Sequence, residues 1–520
     1  MDYDIVIFWT LVSACLFALA MVLPRVRAVG FGWLAVYVGI LLMAVLGFVA
    51  GQPLFIRAAF ALWLVLVLVP GIVARRYQQC FLRQQYAAAG RLARVISWLH
   101  PLDGWREQPR IIHALELAQQ GDMTVAVEIL RGFRETKSMA GITAMIHCYR
   151  LTGDWEGILK WHAEHPEIFH QQPQLLGLLL RAKGESGDVH GMAEFYTSQK
   201  KQFRKLNTVI LRDLVRLPLL AFGGRRAEVE RLFVGSLAAQ PTATRDFWIA
   251  TAELAAGNTA SARQRLERLL PNADPSLRLA VQRRLAQCTV PIQPLDPSVE
   301  QILEEAGREQ GHDEKFGARR TLFSRRAGTT QILILLNLLM FVAEIVAGGA
   351  ENLKTLYQLG ALFPPSVRAG EWWRLCTALF LHFGWLHLTM NMLALSVLGP
   401  FVEFAVGFRR YLLVYLVSGI GSMALVMWLG SEATDVQLTV GASGAIMGLV
   451  GATGAIMLRG WRREKARSAK RQFGAMILVV AMQTVFDSMV PQVSMTGHLT
   501  GTLIGFAMTL LVRDRLAQSR

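Results

Sequence analysis

Nine nearly charge-free stretches dominate this chain: residues 5–23, 32–50 and 58–74 near its start, then 331–349, 386–401, 411–429, 442–458, 474–490 and 497–512. Each comes close to the roughly 17 to 25 residues that an α-helix needs to cross a bilayer. In hydrocarbon no water serves the backbone, so N–H and C=O groups must be paired within the segment, which helices do. An all-α polytopic membrane protein of nine spans is therefore expected. The first stretch reads as a retained anchor rather than a cleaved signal, because Asp2 and Asp4 stand where a basic region belongs and Pro24-Arg25 follows without a small-x-small site.

Loop charge orients the spans. Arg25 and Arg27 lie in the first loop, residues 51–53 carry no charge, and Arg75, Arg76, Arg83, Arg91 and Arg94 follow the third stretch. Lys and Arg collect on the cytoplasmic side, so the N-terminus is expected outside and the chain after residue 74 inside. Arg57, at the outer edge of the third stretch, can snorkel. The last six stretches give the same parity: Arg409 and Arg410 separate the second and third, seven Lys and Arg residues separate the fourth and fifth, and residues 430–441 and 491–496 hold none. The net charge of +16 then belongs to the inner loops of a cell (inner) membrane protein, and nucleic acid is not an expected partner.

Residues 77–326 are polar and helix-forming. Turn-like pairs occur at Gly121-Asp122, Gly153-Asp154, Gly187-Asp188 and Gly257-Asn258, with Gly223-Gly224 between the last two, at intervals of 32, 34, 37 and 33 residues. A period near 34 built from helix pairs resembles tetratricopeptide repeats, which implies a cytoplasmic α-solenoid that docks a protein partner. The plainer reading is an irregular array of helical hairpins that spaces two membrane parts. The expected domains are an N-terminal membrane anchor with three helices (1–76), the repeat domain (77–290), a charged linker (291–326) and a six-helix core (327–520). Cys15, Cys80, Cys148, Cys288 and Cys376 are scattered without a C-x-x-C pair, so no disulfide framework follows. His162-x-x-His165 lacks partners at ligand spacing and reads as a polar helix surface, so neither a metal nor a cofactor is expected.

Within the core, the second, fourth and sixth stretches all run from outside to inside. His387 with Asn391, Ser443, and His498 stand in their first turns, at one depth. An ionisable ring in hydrocarbon is costly and usually functional. Gly444-x-x-x-Gly448 and Gly497-x-x-x-Gly501-x-x-x-Gly505 are small-residue faces, which on their own speak for helix packing. Together they would let Ser443 approach the His498 ring, as nucleophile and base require. His387 and Asn391, four apart on one face, could be an interhelical hydrogen-bond pair. With the Ser443 N–H at a helix N-terminus, they could also stabilise negative charge on a carbonyl oxygen. No acidic residue is expected to orient His498, since Asp487 lies more than two helical turns back and Glu403 is at the inner end of the second stretch. A Ser–His dyad follows.

At these residues the chain resembles the rhomboid family of intramembrane serine proteases. The likeness covers residues 326–512 and is carried by Trp373-Arg374, His382, His387-x-x-x-Asn391, Gly441-x-Ser443-Gly444 and Gly497-His498-x-x-Gly501. It implies Ser443 as nucleophile, His498 as general base, and His387, Asn391 and the Ser443 N–H around the oxyanion. Gly441, Gly444, His382, Gly501, Trp373 and Arg374 are supporting positions. It also implies cleavage of membrane proteins in or beside their spanning segments, and a loop at residues 348–383 partly immersed in the outer leaflet. One departure is Met447, where some members carry an aromatic residue that packs on the histidine. Two rivals stand beside this reading: a catalytically silent rhomboid-like protein that escorts membrane clients, and a transporter with a docking domain. Glu344, Glu403 and Asp487 do not line up the polar path that a transporter needs.

Overall fold

All nine apolar stretches are helices in the computed structural model, which describes residues 3–23, 31–133, 138–172, 175–203, 206, 208–289, 294–317, 327–429, 438–489 and 494–512. Among the described residues, seven helices are long and apolar enough to cross a membrane: Phe31–Val49, Pro53–Leu82, Gly328–Val346, Gly384–Val406, Phe408–Leu429, Ser443–Glu464 and Arg467–Met489. The first and last, Tyr3–Val22 and Met495–Leu511, carry shorter apolar runs. Among the described residues there is no strand, only an isolated antiparallel bridge between Leu362 and Thr439. The chain divides into two compact units, residues 2–314 and 315–520.

In the first unit the three anchor helices pack through Phe8, Leu11, Cys15, Ile40, Ala44, Ile56 and Ala59. Helix pairs follow, and the glycines that mark the repeat, Gly121, Gly153, Gly187, Gly224 and Gly257, all have positive φ. The reason is local: a left-handed residue closes one helix, and glycine adopts that conformation without a Cβ penalty. The next residue then opens the following helix. The Asp154 side chain accepts from Gly157 N–H at 2.9 Å and Asp188 from Gly191 N–H at 2.8 Å, which pairs donors that the helix itself leaves free.

Two expected segments have structure that composition does not display. Residues 291–326 are not all linker: Pro297–Gly317 is a helix whose Val299, Leu303 and Ala306 are buried. Its charge concealed an apolar face at helical spacing, continued by Asp313, which accepts from Arg212 at 2.8 Å and from Arg216 at 2.8 Å. The anchor and the repeat region are likewise not separate bodies. The third anchor helix runs on to Leu82 and packs against Tyr86–Leu99 inside the same unit.

The second unit is built around its fourth core helix, Ser443–Glu464, buried along nearly its whole length. Glycines on that helix and on Met495–Leu511 remove the side chains between them. A Cβ at Gly501 would lie 2.1 Å from the Gly444 carbonyl oxygen, and one at Gly505 would lie 2.0 Å from that of Gly448. At the start of the first core helix, Glu403 of the second core helix accepts from Thr329 N–H at 2.8 Å and Thr330 N–H at 2.9 Å, so it caps the first core helix from outside it.

Candidate active site

Ser443 begins the fourth core helix, directly after Gly441-Ala442. Gly441 has φ +126°, a conformation that L side chains rarely adopt, and its N–H donates to the Ala378 carbonyl at 2.9 Å. A Cβ on Gly441 would stand 2.9 Å from His387 Nε2 and 3.8 Å from Ser443 Oγ. Glycine is thus required twice over, by backbone and by space, and the His387 ring and the Ser443 hydroxyl border the same atom. His387 Nδ1 accepts from Phe383 N–H at 3.4 Å. That bond assigns the ring proton to Nε2, on the Gly441 side. Asn391 is buried and uses one amide hydrogen on the His387 carbonyl, at 2.9 Å, which leaves its second hydrogen uncommitted to that bond.

His498 lies in the first turn of the sixth core helix, whose start is capped by Ser494 Oγ accepting from Gly497 N–H at 3.1 Å. That turn touches the first turn of the fourth helix: a Cβ on Gly444 would be 3.7 Å from the Gly497 carbonyl. The ring is buried, and its Nδ1 is 2.8 Å from Asp487 Oδ2. The other Asp487 oxygen accepts from Gln483 Nε2 at 2.7 Å. This corrects the expectation that no acid orients His498. Asp487 is remote along its own helix, but the fifth and sixth helices are joined by a short connection and place it beside the ring. The available signal was that a buried carboxyl in an apolar span needs a partner, and His498 opens the adjacent span.

The supporting positions divide by role. Arg374 is buried and donates to the Tyr357 carbonyl at 2.7 Å and the Ala361 carbonyl at 3.0 Å, which folds the connection between the first two core helices on itself; its guanidinium also pairs with Glu371. Trp373 points outward and stays exposed, with Trp372 and Trp385. The His382 ring is buried 5.2 Å from the His387 ring, centroid to centroid, and the His382 backbone N–H donates to Glu344 Oε1 at 2.9 Å. Met447 is buried on the fourth helix. Among the described residues no group of three His, Cys, Asp or Glu side chains could hold a metal. His162 instead packs edge-on against Phe169 and Phe195.

Comparison with known proteins bears on the same part of the chain. The Rhomboid domain matches residues 369–515. Rhomboid protease GluP of Bacillus subtilis is 36% identical over 179 residues, covering 34% of this chain and 33% of that protein. RHOMBOID-like protein 5 of Arabidopsis thaliana is 35% identical over 166 residues, 32% of this chain and 52% of that protein. The chain thus spans a third to about half of the length of these relatives. Putative rhomboid protease YdcA of Bacillus subtilis is 34% identical over 158 residues, 30% of this chain but 72% of that shorter protein. With a multi-pass helical core and a relative matched over most of its length, the chain belongs to the rhomboid family.

Proposed function

We propose that this membrane protein is an intramembrane serine endopeptidase that cleaves other membrane proteins in or near their spanning segments. The observation that carries the reading is the contact of His498 Nδ1 with Asp487. A carboxylate on Nδ1 holds the proton there and leaves Nε2 as the basic nitrogen. In this reading Nε2 takes the proton of Ser443 as Oγ attacks the scissile carbonyl, then returns it to the departing amine; water repeats the sequence and releases the acyl group. Negative charge on the carbonyl oxygen meets the Ser443 N–H, the His387 Nε2–H and the second Asn391 amide hydrogen. The proposed machinery is therefore Ser443 and His498 at the reacting atoms, with Asp487 as a positioning residue in place of an unassisted dyad. Names of relatives that contain "rhomboid protease" support the reaction class. The helix pairs of the first unit, on this proposal, are cytoplasmic and recruit a protein partner, while the reaction runs near the outer face.

The test is cleavage of a single-span model substrate by detergent-solubilised protein, with fluorophosphonate labelling in parallel. Wild type is expected to cleave and to be labelled, and Ser443→Ala and His498→Ala are expected to fall to background in both assays. A wild-type Ser443 that resists fluorophosphonate would overturn the proposal in favour of a protein that only binds its clients.

A further inference from the structure

A polar elbow is buried against the apolar anchor in the first unit. Pro70, inside the Pro53–Leu82 helix, has no N–H to return to the Leu66 carbonyl four residues back. The turn before it, Leu64–Leu68, is wound as π helix. The Leu66 carbonyl accepts from His100 Nε2 at 2.7 Å. The other His100 nitrogen meets Asp103 Oδ2 at 3.0 Å, and Trp33 stacks on the ring at 3.9 Å between centroids. Asp103 Oδ1 accepts from Gly32 N–H at 2.9 Å and Trp33 N–H at 3.3 Å, donors at the start of the second anchor helix.

These bonds tie the end of Tyr86–Leu99 and the turn after it to two anchor helices at the level of Leu66. Leu66 stands nine residues before Arg75, about 13 Å along the helix axis at 1.5 Å per residue. In the same elbow Trp98 is 84% exposed and Leu102 74%, with Val95 at 46% one turn earlier. Large apolar side chains are thus left open beside an anchor helix whose Val65 and Ile72 are also exposed. Charge fits as well. From Arg75 to Arg106 the chain carries six arginines, and its single acid, Asp103, is engaged by Gly32, Trp33 and His100.

We propose that residues 95–105 dip into the inner leaflet of the membrane, with Trp98 and Leu102 among acyl chains and Arg91, Arg94 and Arg106 at anionic headgroups. Tryptophan suits this boundary because its ring is largely apolar and carries one donor. Basic side chains beside an apolar face add attraction to anionic lipid. The segment escapes a hydropathy scan because it is short and interrupted by His100 and Asp103, whose polarity is satisfied within the anchor.

The experiment uses the full-length protein with Cys376→Ser, which removes the exposed thiol and leaves four buried ones. Spin labels are attached through Trp98→Cys and, separately, Leu102→Cys, and the protein is reconstituted in phosphatidylethanolamine and phosphatidylglycerol vesicles. Collision with oxygen is compared with collision with a water-soluble nickel chelate. Ile72→Cys serves as the lipid reference and Val234→Cys, at an exposed site in the water-facing helices, as the aqueous one. The oxygen-to-nickel ratio at positions 98 and 102 is expected to match Ile72 and to exceed Val234 severalfold. A nickel-dominated signal like that of Val234 would overturn the proposal, and so would labels shielded from both agents, which would mean that protein covers the elbow.

Discussion

At the scale of single residues, the arrangement around His498 separates what can act from what only supports. An imidazole with no acceptor on Nδ1 distributes its proton between two tautomers, and only one of them is a base at Nε2. Asp487, buried 2.8 Å from Nδ1 with Gln483 on its other oxygen, selects that tautomer. Asp487→Asn keeps the volume but offers the ring an amide, so kcat is expected to fall by about 10 to 10⁴-fold, the upper end being the loss known for the equivalent change in a Ser-His-Asp triad. KM should stay within about twofold, because Asp487 does not touch substrate. Fluorophosphonate labelling of Ser443 should slow in parallel while the thermal midpoint is kept; equal labelling rates in the two proteins would reduce Asp487 to a packing role. His387, Ser443 and His498 stand out as candidates in the sequence because each lies in the first turn of its helix, with Asn391 one turn after His387, and spacing along one helix gives depth. Asp487 was not, since helical spacing reports neighbours along one helix and this contact crosses from the fifth to the sixth.

At the scale of elements, the small faces show why packing and chemistry are not competing explanations for the same glycines. The fourth and sixth core helices approach until the Cα of Gly501 and of Gly505 lie against carbonyls of Gly444 and Gly448. Lipid gives no hydrophobic drive between helices, so this close van der Waals fit is what holds them. Gly505→Leu, two turns from the site, forces a side chain onto a backbone oxygen and is expected to cost about 1–3 kcal/mol, read as a lower midpoint in detergent unfolding with activity lost in proportion. An unchanged midpoint would mean that the helices can part without penalty. In the first unit, the helix Met139–Thr152 buries His147, and that burial, with Arg150 nearby, holds its pKa well below the ordinary value of 6.5. The folded protein therefore keeps His147 neutral while the unfolded chain takes up a proton below about pH 6.5. Stability from this group is fully present above that pH and is lost as pH falls towards the folded value, at up to about 1.4 kcal/mol per unit. Hydrogen exchange across this helix, corrected for intrinsic rates, should lose protection between about pH 6.5 and 5.5, and His147→Phe should flatten that slope. A slope that persists in the variant would place its source elsewhere.

At the scale of the whole molecule, the sequence displayed most plainly what depends on local composition. The nine helices sit where charge-free stretches predicted them, and the five turn glycines sit where a left-handed residue must close a helix. The helix Pro297–Gly317 is hidden in composition because its charges are averaged over all its faces, whereas burial of Val299, Leu303 and Ala306 depends on one. The joining of anchor and helix pairs in one unit is hidden for a similar reason, since the Pro53–Leu82 helix runs past its apolar stretch and only packing shows that it continues. Sidedness is the remaining global property, and loop charge argues it for both halves of the chain. Asp103 bonded to Gly32 and Trp33 supports the same parity for the first unit, because the start of the second anchor helix and the start of the helix pairs then share one end of the anchor. A fluorescent protein inserted at Gly187 in the turn between two helices should therefore light up in the cytoplasm, whereas alkaline phosphatase inserted at Gly370, in the outer connection, should be active outside it. Activity of phosphatase at Gly187 would invert the assigned topology. Silence at Gly370 alone, with the Gly187 reporter fluorescent, would leave the helix pairs inside and turn the proposed catalytic face towards them, so that cleavage would occur at the inner surface.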